Sequence, residues 1–319
     1  MTSRFSSKIS VRLEGGLGDC LLGSRFVPAI KEKYPNSEIT AYIDSEGKTF
    51  QKEAIQYSYP SLFREIKVIQ KKKYKEFWVD CQFGTDNYYG ALENVPDDVR
   101  AEMESYDKFY DLHVDSLKWT NYDFDWLRYF KFFPRPEIKK NEQSEDYALF
   151  HLLSATSVGH RLEKWYSTRL IKEVSEKIKV IIISTPDTND YYSEVKDLPN
   201  VQLFNGSVEE AINLIANAKI MISTDSGFRY LAHGFSIPVL TFSKHSPQPH
   251  SVLPSHHIRW LLFPETCFPL NFDLVCVRNI VFNALQNPGS ILVPFLKEFN
   301  LQAVRRIYTI NEQKSILNL

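Results

Sequence analysis

Cysteine is scarce in this sequence and follows no recognisable ligand or disulfide pattern. The 319 residues include four cysteines, and no two of them form a C-x-x-C pair. This spacing argues against a zinc knuckle, and the low count argues against a disulfide framework. A reducing cytoplasm is the environment that suits such residues. They are Cys20, Cys81, Cys267 and Cys276.

An excess of charge of one sign is also missing. Lys and Arg number 38 against 39 Asp and Glu, so net charge gives no argument for nucleic acid or for an acidic scaffold, and we expect no nucleic-acid partner. One local basic run, Lys71 to Lys73, stands out. It could meet an anionic glycolipid surface or form the solvated edge of a sheet, and the sequence leaves both open.

Long apolar runs are absent as well. No run reaches the length of a membrane span, and residues 1–8 are polar. We therefore expect neither a transmembrane segment nor a signal peptide. The sequence predicts a cytoplasmic protein, and it leaves peripheral contact with the inner face of the membrane open.

The chain does contain a regular alternation of strand and helix patterns. Such alternation predicts parallel β-α-β units with right-handed crossovers. Strands are predicted at 9–14, 38–43, 65–69, 76–81, 147–152, 178–184, 201–204, 219–223 and 237–242. Helices are predicted at 20–34, 47–57, 163–176, 207–217 and 227–235, the fourth of them with a capping box from Ser207 to Glu210.

We predict an α/β fold of two Rossmann-like, doubly wound domains that face each other across a cleft. The polar stretch after Pro134-Arg135-Pro136 predicts a linker. The first domain spans residues 1–140 and the second 141–285, and a helical segment at 286–319 packs back on the first domain. Ligands of open α/β sheets bind beyond the carboxyl ends of the strands, so the cleft is the expected site.

A glycine-rich junction between the first strand and the first helix is the most informative short segment. A dinucleotide-binding loop needs a third glycine where Leu21 stands, so a nicotinamide or flavin site is disfavoured. Asp19 has two interpretations: it caps the helix, or it faces the cleft as a functional carboxylate. The glycines of this acceptor-side loop are Gly15, Gly16 and Gly18.

A second buried strand, 219–223, runs into another capped helix. There the backbone amides of Ser226, Gly227 and Phe228 could hold a diphosphate. The alternative is that Asp225 is only an N-cap residue.

Taken in order, these segments resemble the heptosyltransferase-like glycosyltransferases of family 9, which use ADP-heptose. The resemblance covers roughly residues 9 to 270, and Asp80 falls where that family often has an aspartate. The matching motifs are Gly18-Asp19-x-Leu21-Leu22, Ser154-Ala155-Thr156 with Lys164-Trp165, and Thr224-Asp225-Ser226-Gly227 with Leu231-Ala232.

The resemblance implies a glycosyltransferase-B type fold and an inverting, metal-independent transfer. The first domain would bind the acceptor, with Asp19 as the catalytic base, and the second would bind the nucleotide sugar. No cofactor is implied beyond that donor substrate. The implied donor-binding residues are Ser154, Thr156, Lys164, Asp187, Thr224, Asp225, Ser226, Gly227 and Tyr230.

This chain departs from the family pattern at three places. Tyr230 stands where the family usually has His, Tyr166 replaces the usual Pro, and Ser243-Lys244-His245 replaces a Gly-Pro segment. A donor other than heptose therefore stays open. Metal binding is disfavoured because the spacings in the histidine-rich loop match no standard ligand set. These histidines are His245, His250, His256 and His257.

The sequence thus predicts a glycosyltransferase that moves a sugar from a nucleoside diphosphate to a hydroxyl of a glycan or lipid-linked saccharide. A nucleotide-sugar epimerase on the same fold is the second hypothesis. A non-catalytic nucleotide-sugar-binding or scaffold protein is the third.

Overall fold

A computed structural model gives the fold of the chain. The structure describes residues 6–44, 49–70, 95–112, 122–125, 134–139, 145–153, 162–224, 226–243, 258–262 and 274–287. The chain divides into two compact units, residues 1–134 and 135–319.

The first unit is an α/β unit built around a parallel sheet. Its four described strands lie in the order β3-β2-β1-β4, and each neighbouring pair is parallel. The strands are β1 (Lys8–Glu14), β2 (Glu38–Asp44), β3 (Glu65–Val68) and β4 (Lys108–Asp111). The helices are α1 (Leu17–Ser24), α2 (Val27–Lys33), α3 (Phe50–Ser58) and α4 (Asp97–Glu104).

The prediction of one continuous helix over 20–34 is wrong. The structure has two helices, α1 and α2, with Arg25 and Phe26 between them. Pro28 explains the break, because proline has no N–H to donate and its ring clashes with the carbonyl four residues earlier. Near the start of α2 this same proline is well tolerated, since an N–H there has no partner within the helix.

The second unit is also a parallel α/β unit. Its described strands lie in the order β10-β9-β8-β5-β6-β7, all parallel. The strands are β5 (Tyr147–His151), β6 (Lys179–Ile183), β7 (Val201–Phe204), β8 (Ile220–Thr224), β9 (Val239–Ser243) and β10 (Ile258–Leu262). The helices are α5 (Lys164–Ser175), α6 (Val208–Asn217), α7 (Phe228–Gly234) and α8 (Leu274–Gln286), with a 3₁₀ helix at Pro186–Tyr192.

Strand β5 occupies the point where the strand order of this sheet reverses. From β5 the chain builds outward through β6 and β7, and then returns to the other side of β5 to add β8, β9 and β10. The boundary between β5 and β8 is therefore the topological switch point of the sheet. In open α/β sheets this is where ligands bind, beyond the carboxyl ends of the strands.

The two faces of the second sheet differ in what they bury. One face carries Phe150, Ile222 and Phe242, which belong to an apolar core shared with α5 and α8. Side chains alternate along a strand, so the intervening residues lie on the opposite face, where α7 packs on β8 and β9. That second face carries a row of polar residues near its carboxyl edge. They are His151, Ser223 and Thr241, which are register neighbours on β5, β8 and β9.

The prediction of an α/β fold with two Rossmann-like parallel sheets is confirmed. The sequence did not indicate β4, β10 or α8, and the predicted strand 76–81 lies outside the described residues, as does the segment 288–319. In the part of the chain that the structure describes, no helix combines the length and apolar character needed to cross a bilayer.

Candidate functional site

In the first unit, the glycine-rich junction joins β1 to α1 by a tight turn. Gly15 has φ of +88°, a left-handed conformation that residues with a Cβ rarely adopt. Its N–H donates to the Asp44 carbonyl at the end of β2, at 3.2 Å. A Cβ at position 15 would lie 2.6 Å from Asp19 Oδ2. The glycine is therefore required both by the turn and by the approach of the aspartate.

Asp19 lies in the first turn of α1 and is partly exposed. Its Oδ2 accepts a hydrogen bond of 3.0 Å from the Gly16 N–H. This contact is the helix-capping interaction, and it also fixes the direction of the carboxylate at the carboxyl end of β1. Gly18, expected in the loop, lies within α1 itself.

The amides at the start of this loop are already engaged. Gly15 N–H is bound to Asp44, and Gly16 N–H is bound to Asp19. A phosphate-binding loop needs such amides for its ligand. We conclude that the junction is not arranged as a phosphate cradle, which agrees with the absence of the third dinucleotide-loop glycine.

A buried arginine gathers three carboxylates beneath the loop. Arg12 is fully buried on β1, and its Nη2 lies 3.1 Å from both Glu14 Oε2 and Asp44 Oδ2. Its Nη1 lies 3.1 Å from Asp111 Oδ2 at the end of β4. The sequence did not reveal this Arg12 cluster, because two of the partners are on other strands. Three carboxylates therefore surround one guanidinium at this edge of the sheet.

The pKa of Cys20 is affected by the same group of carboxylates. The thiol is buried, and its burial raises its pKa well above the usual value, with further contributions from the charges of Asp19, Asp44 and Glu14. The thiol is therefore protonated and poorly nucleophilic at neutral pH. It is a packing residue of α1.

In the second unit, the predicted donor-binding residues follow β8. Thr224 is the last residue of that strand and is fully buried, while Ser226 is 8% exposed. Gly227 is the residue before α7, and the N–H groups of Arg229 and Tyr230 donate to the carbonyls of Ser226 and Gly227. The amide-rich turn expected here is thus a short helical turn. Asp225 lies outside the described residues.

A hydrogen-bonded chain of three side chains crosses from β5 to β8. His151 Nδ1 lies 3.0 Å from Ser226 Oγ, which lies 3.1 Å from Ser223 Oγ. Ser223 Oγ in turn donates to the Thr224 carbonyl at 2.6 Å. The sequence motifs did not include His151. The available signal was a histidine ending an otherwise apolar strand, Tyr147–His151, at the edge where ligands of α/β sheets bind.

Tyr230 is buried in α7 beside a buried arginine. The Arg229 guanidinium lies over the Tyr230 ring, 4.0 Å from its centroid, and Nη2 donates to the Tyr230 hydroxyl at 2.6 Å. The positive charge that a histidine could carry at position 230 is therefore present one residue earlier in the chain.

Lys164 is the first residue of α5, and its ammonium contacts the 3₁₀ segment. Nζ donates to the Asp190 carbonyl at 3.1 Å and to Ser193 Oγ at 3.0 Å, and it lies 3.8 Å from Glu194 Oε1. The side chain is 43% exposed. An open groove of about 620 Å³ passes Lys164 and the exposed Trp165.

The remaining predicted residues are distributed as follows. Asp187 lies exposed near the start of the 3₁₀ segment after β6. Several others lie outside the described residues: Ser154, Thr156, Asp80, His245, His250, His256 and His257.

No protein-family model and no curated protein matches this sequence. Solved structures do match. The chain is 13% identical to the ADP-heptose lipopolysaccharide heptosyltransferase II of E. coli, with a TM-score of 0.59 over 87% of this chain and 98% of that one. It is 12% identical to a family 9 glycosyl transferase of Veillonella parvula, with a TM-score of 0.57 over 96% and 98%.

A third structure carries a bound nucleotide sugar. The dodecameric, iron-containing heptosyltransferase TibC, in complex with ADP-D-β-D-heptose, is 15% identical, with a TM-score of 0.52 over 89% of this chain and 77% of TibC.

The chain has the fold of a family 9 glycosyltransferase. At these identities the likeness is one of fold, and it extends over nearly the whole of the two first-named structures. The resemblance drawn from the short motifs is confirmed at that level.

Proposed function

We propose that the protein is an inverting, metal-independent glycosyltransferase. It moves a sugar from a nucleoside diphosphate to a hydroxyl of a glycan or lipid-linked saccharide. The observation that carries the proposal is the fold shared with heptosyltransferase II over almost all of both chains, together with a carboxylate, Asp19, at the carboxyl end of β1.

Asp19 is the proposed general base. In the transfer the acceptor oxygen bonds to the anomeric carbon, the bond from that carbon to the phosphate oxygen breaks, and the hydroxyl proton goes to Asp19. The Gly16 amide holds Oδ2 in place, so the carboxylate is oriented before substrate binds. The Arg12 cluster supports the strand end from which this loop departs.

The second unit is the proposed donor site. The departing nucleoside diphosphate gains negative charge as the sugar becomes oxocarbenium-like, so a fixed cation and hydrogen-bond donors lower the barrier. Lys164 is the proposed cation. Its two hydrogen-bond acceptors are neutral and its ion pair with Glu194 is exposed, so reorientation toward a diphosphate costs little.

Other donor contacts are proposed at the ends of β6 and β8. They are Asp187, Thr224, Ser226, Gly227 and Tyr230. Ser154, Thr156 and Asp225, which lie outside the described residues, are proposed as donor contacts as well. The donor is a nucleoside-diphosphate sugar, with heptose as one candidate, and the acceptor is a glycan or glycolipid. We also propose that residues 1–140 form the acceptor-side domain and that residues 141–285 form the donor domain. The enzyme would work in the cytoplasm, and at the inner face of the membrane if the acceptor is a lipid.

A substrate panel tests the proposal. The protein is incubated with ADP-, GDP- and UDP-sugars, and nucleoside diphosphate release is followed with and without an acceptor extract. Release that requires acceptor supports transfer. Interconversion of the sugar without release would indicate an epimerase, and binding without turnover a scaffold protein; either result would contradict the proposal.

Asp19→Asn tests the proposed base. The asparagine oxygen can still accept from the Gly16 amide, so the turn is preserved while the proton acceptor is lost. We expect turnover to fall by about 10²- to 10⁴-fold, with unchanged binding of the nucleotide sugar. Asp98→Asn is the matched control, since Asp98 is an exposed aspartate in the first turn of α4 in the same unit. Full activity of Asp19→Asn would exclude the role.

Lys164→Ala tests the proposed cation. Loss of a charge-assisted contact should weaken nucleoside diphosphate binding by about tenfold or more. Lys177→Ala is the control, because Lys177 is an exposed lysine just after the same helix and is not among the residues that line the groove at Lys164. If the two variants bound the nucleoside diphosphate with equal affinity, Lys164 would only hold α5 against the 3₁₀ segment and would not contact the donor.

A further inference from the structure

His151, Ser226 and Ser223 form one continuous polar chain at the boundary between β5 and β8. The two serines are buried, at 8% and 0% exposure. His151 keeps partial exposure at the end of β5, where its ring and that of Phe228 pack in a T-shaped arrangement with 5.1 Å between centroids. The chain therefore leads from the interior of the sheet toward its carboxyl edge.

The last contact in this chain fixes the direction of all the others. A carbonyl oxygen only accepts, so the Ser223 hydroxyl must donate its proton to the Thr224 carbonyl. The contact between Ser223 and Ser226 is then a hydrogen bond only if Ser226 is the donor. Ser226 Oγ has no second proton for His151, so His151 Nδ1 must carry the proton that it shares with Ser226.

The neutral imidazole is therefore held as the Nδ1–H tautomer. One ring nitrogen of a neutral histidine donates and the other accepts. With the proton on Nδ1, Nε2 keeps its lone pair. Burial lowers the pKa of His151 to about 4, which favours the neutral form at physiological pH.

The lone pair on Nε2 determines which ligand groups can bind next to it. It repels a phosphate oxygen and accepts a hydrogen bond from an O–H group. The position is the switch point of the second sheet, where ligands of such sheets bind. In a nucleotide sugar, hydroxyl groups are found on the ribose and on the transferred sugar.

We propose that His151 presents Nε2 as a fixed hydrogen-bond acceptor for a hydroxyl of the nucleotide sugar, with the tautomer set by the serine chain through Ser226 and Ser223. This proposal rests on the proposed function, because it takes the nucleotide sugar as the ligand of this sheet. His151 is a binding residue in this role and not a second base.

The tautomer is measured directly by long-range ¹H–¹⁵N correlation on the full chain labelled with ¹⁵N-histidine. The resonances of His151 are those missing from His151→Asn. The expected result at about pH 7 is a protonated Nδ1 and an unprotonated Nε2. Ser226→Ala removes the middle link, so both tautomers should then be populated. An Nε2–H tautomer or an imidazolium in the wild type would overturn the proposal.

Binding is tested with a matched pair of variants. The amide of asparagine reaches about as far as Nδ1 and can still donate to Ser226, whereas that of glutamine reaches about as far as Nε2 and restores an acceptor there. Calorimetry with ADP, GDP, UDP and their sugars identifies the nucleotide that binds the wild type. We expect His151→Asn to bind it about fivefold more weakly, and His151→Gln to bind it nearly as tightly as the wild type.

Three further comparisons define the outcome. Inorganic pyrophosphate should bind the wild type and His151→Asn equally, since it has no hydroxyl donor. An equal loss for diphosphate and sugar that disappears with the 2′,3′-dideoxy nucleotide places the hydroxyl on the ribose, and a loss for the sugar alone places it on the transferred sugar; both support the proposal. An equal loss that persists with the dideoxy nucleotide would indicate an N–H group of the base and would contradict it. Equal affinity of His151→Asn and wild type would overturn this proposal alone. Absence of nucleotide binding by the wild type would overturn the proposed function as well.

Discussion

Arg229 donates a hydrogen bond of 2.6 Å to the hydroxyl of Tyr230, and its guanidinium lies over the same ring. Both residues are buried, at 1% and 4% exposure. Tyr230 is one of the positions at which this chain departs from the heptosyltransferase pattern. The tyrosine hydroxyl and the neighbouring guanidinium together provide a donor and a charge where the family usually has a single histidine.

Replacement of Tyr230 should therefore be costly, and histidine should not rescue it. Tyr230→Phe deprives the buried guanidinium of one acceptor, so we expect a loss of about 1 to 3 kcal/mol in the free energy of unfolding. In Tyr230→His, burial and the adjacent positive charge lower the pKa of the new imidazole, so it stays neutral. Urea unfolding of both variants measures the effect. A histidine variant as stable and as active as wild type would contradict this account of the pair.

The two glycines that begin the first loop should differ sharply in their tolerance of alanine. Gly15→Ala forces a residue with a Cβ into a left-handed conformation and into contact with Asp19 Oδ2. A loss of about 1 to 2 kcal/mol is expected from the backbone alone, with loss of activity as Asp19 is displaced. Gly16 has φ of −71°, and its nearest Cβ contact is 3.6 Å away.

Gly16→Ala is thus the control for Gly15→Ala. It should cost about 1 kcal/mol or less, because alanine is a poor residue at the N-cap position but is not excluded there. Thermal unfolding and turnover are measured for both variants. Similar values at the two positions would show that the conformation of Gly15 is not required.

Gly23 should be intolerant of any side chain. A Cβ there would lie 2.5 Å from the Leu112 backbone carbonyl and 3.0 Å from Leu13 Cδ2. Alanine favours a helix more than glycine does, by about 1 kcal/mol, so an isolated helix would be stabilised by Gly23→Ala. We expect the protein to lose about 1 to 3 kcal/mol instead, since backbone must move to relieve the contact. Denaturant unfolding decides between the two directions.

The stability of the second unit should depend on pH through His151. Burial lowers the pKa of His151 from 6.5 to about 4, so between these values the unfolded chain binds a proton that the folded chain does not. Stability therefore falls as the pH drops from about 6.5 to about 4, by roughly 2 to 3 kcal/mol in total.

This effect is measured as the difference in unfolding free energy between the wild type and His151→Asn. Unfolding free energies of wild type and His151→Asn are compared across that range, and the variant should lack this part of the pH dependence. Asp123 is the same in both proteins, so its contribution cancels in the difference; its pKa, opposed by burial but lowered by hydrogen bonds from Lys33, Tyr110 and Tyr34, is about 2. Parallel curves for the two proteins would contradict the assignment to His151.

Local sequence patterns were sufficient for most of the elements. The capping box from Ser207 to Glu210 is present as predicted, with hydrogen bonds of 3.2 and 2.7 Å in the two directions. The buried strand β8 is also where its apolar run indicates. In both cases the determining interactions lie within a few residues, so the sequence contains them directly.

Other features depend on contacts that are distant in sequence. The third glycine of a dinucleotide-binding loop is missing at Leu21, yet the helix approaches the sheet closely at Gly23, against the residue after β4. Strand β4 has only four residues within an aromatic region, and its pairing with β1 determines it. The contact of His151 with Ser226 joins residues 75 positions apart. No local pattern encodes such partners.

The Arg12 cluster has a consequence for how the first unit opens. Its guanidinium, on β1, connects the carboxyl ends of β1, β2 and β4. Asp44 on β2 lies 32 positions from Arg12 along the chain, and Asp111 on β4 lies 99 positions from it. If β4 frayed, Asp111 would be withdrawn and a buried charge would lose one of its counter-ions, which is energetically expensive. Amide hydrogen exchange in β4 should therefore be as slow as in the interior strand β1, through a shared cooperative opening.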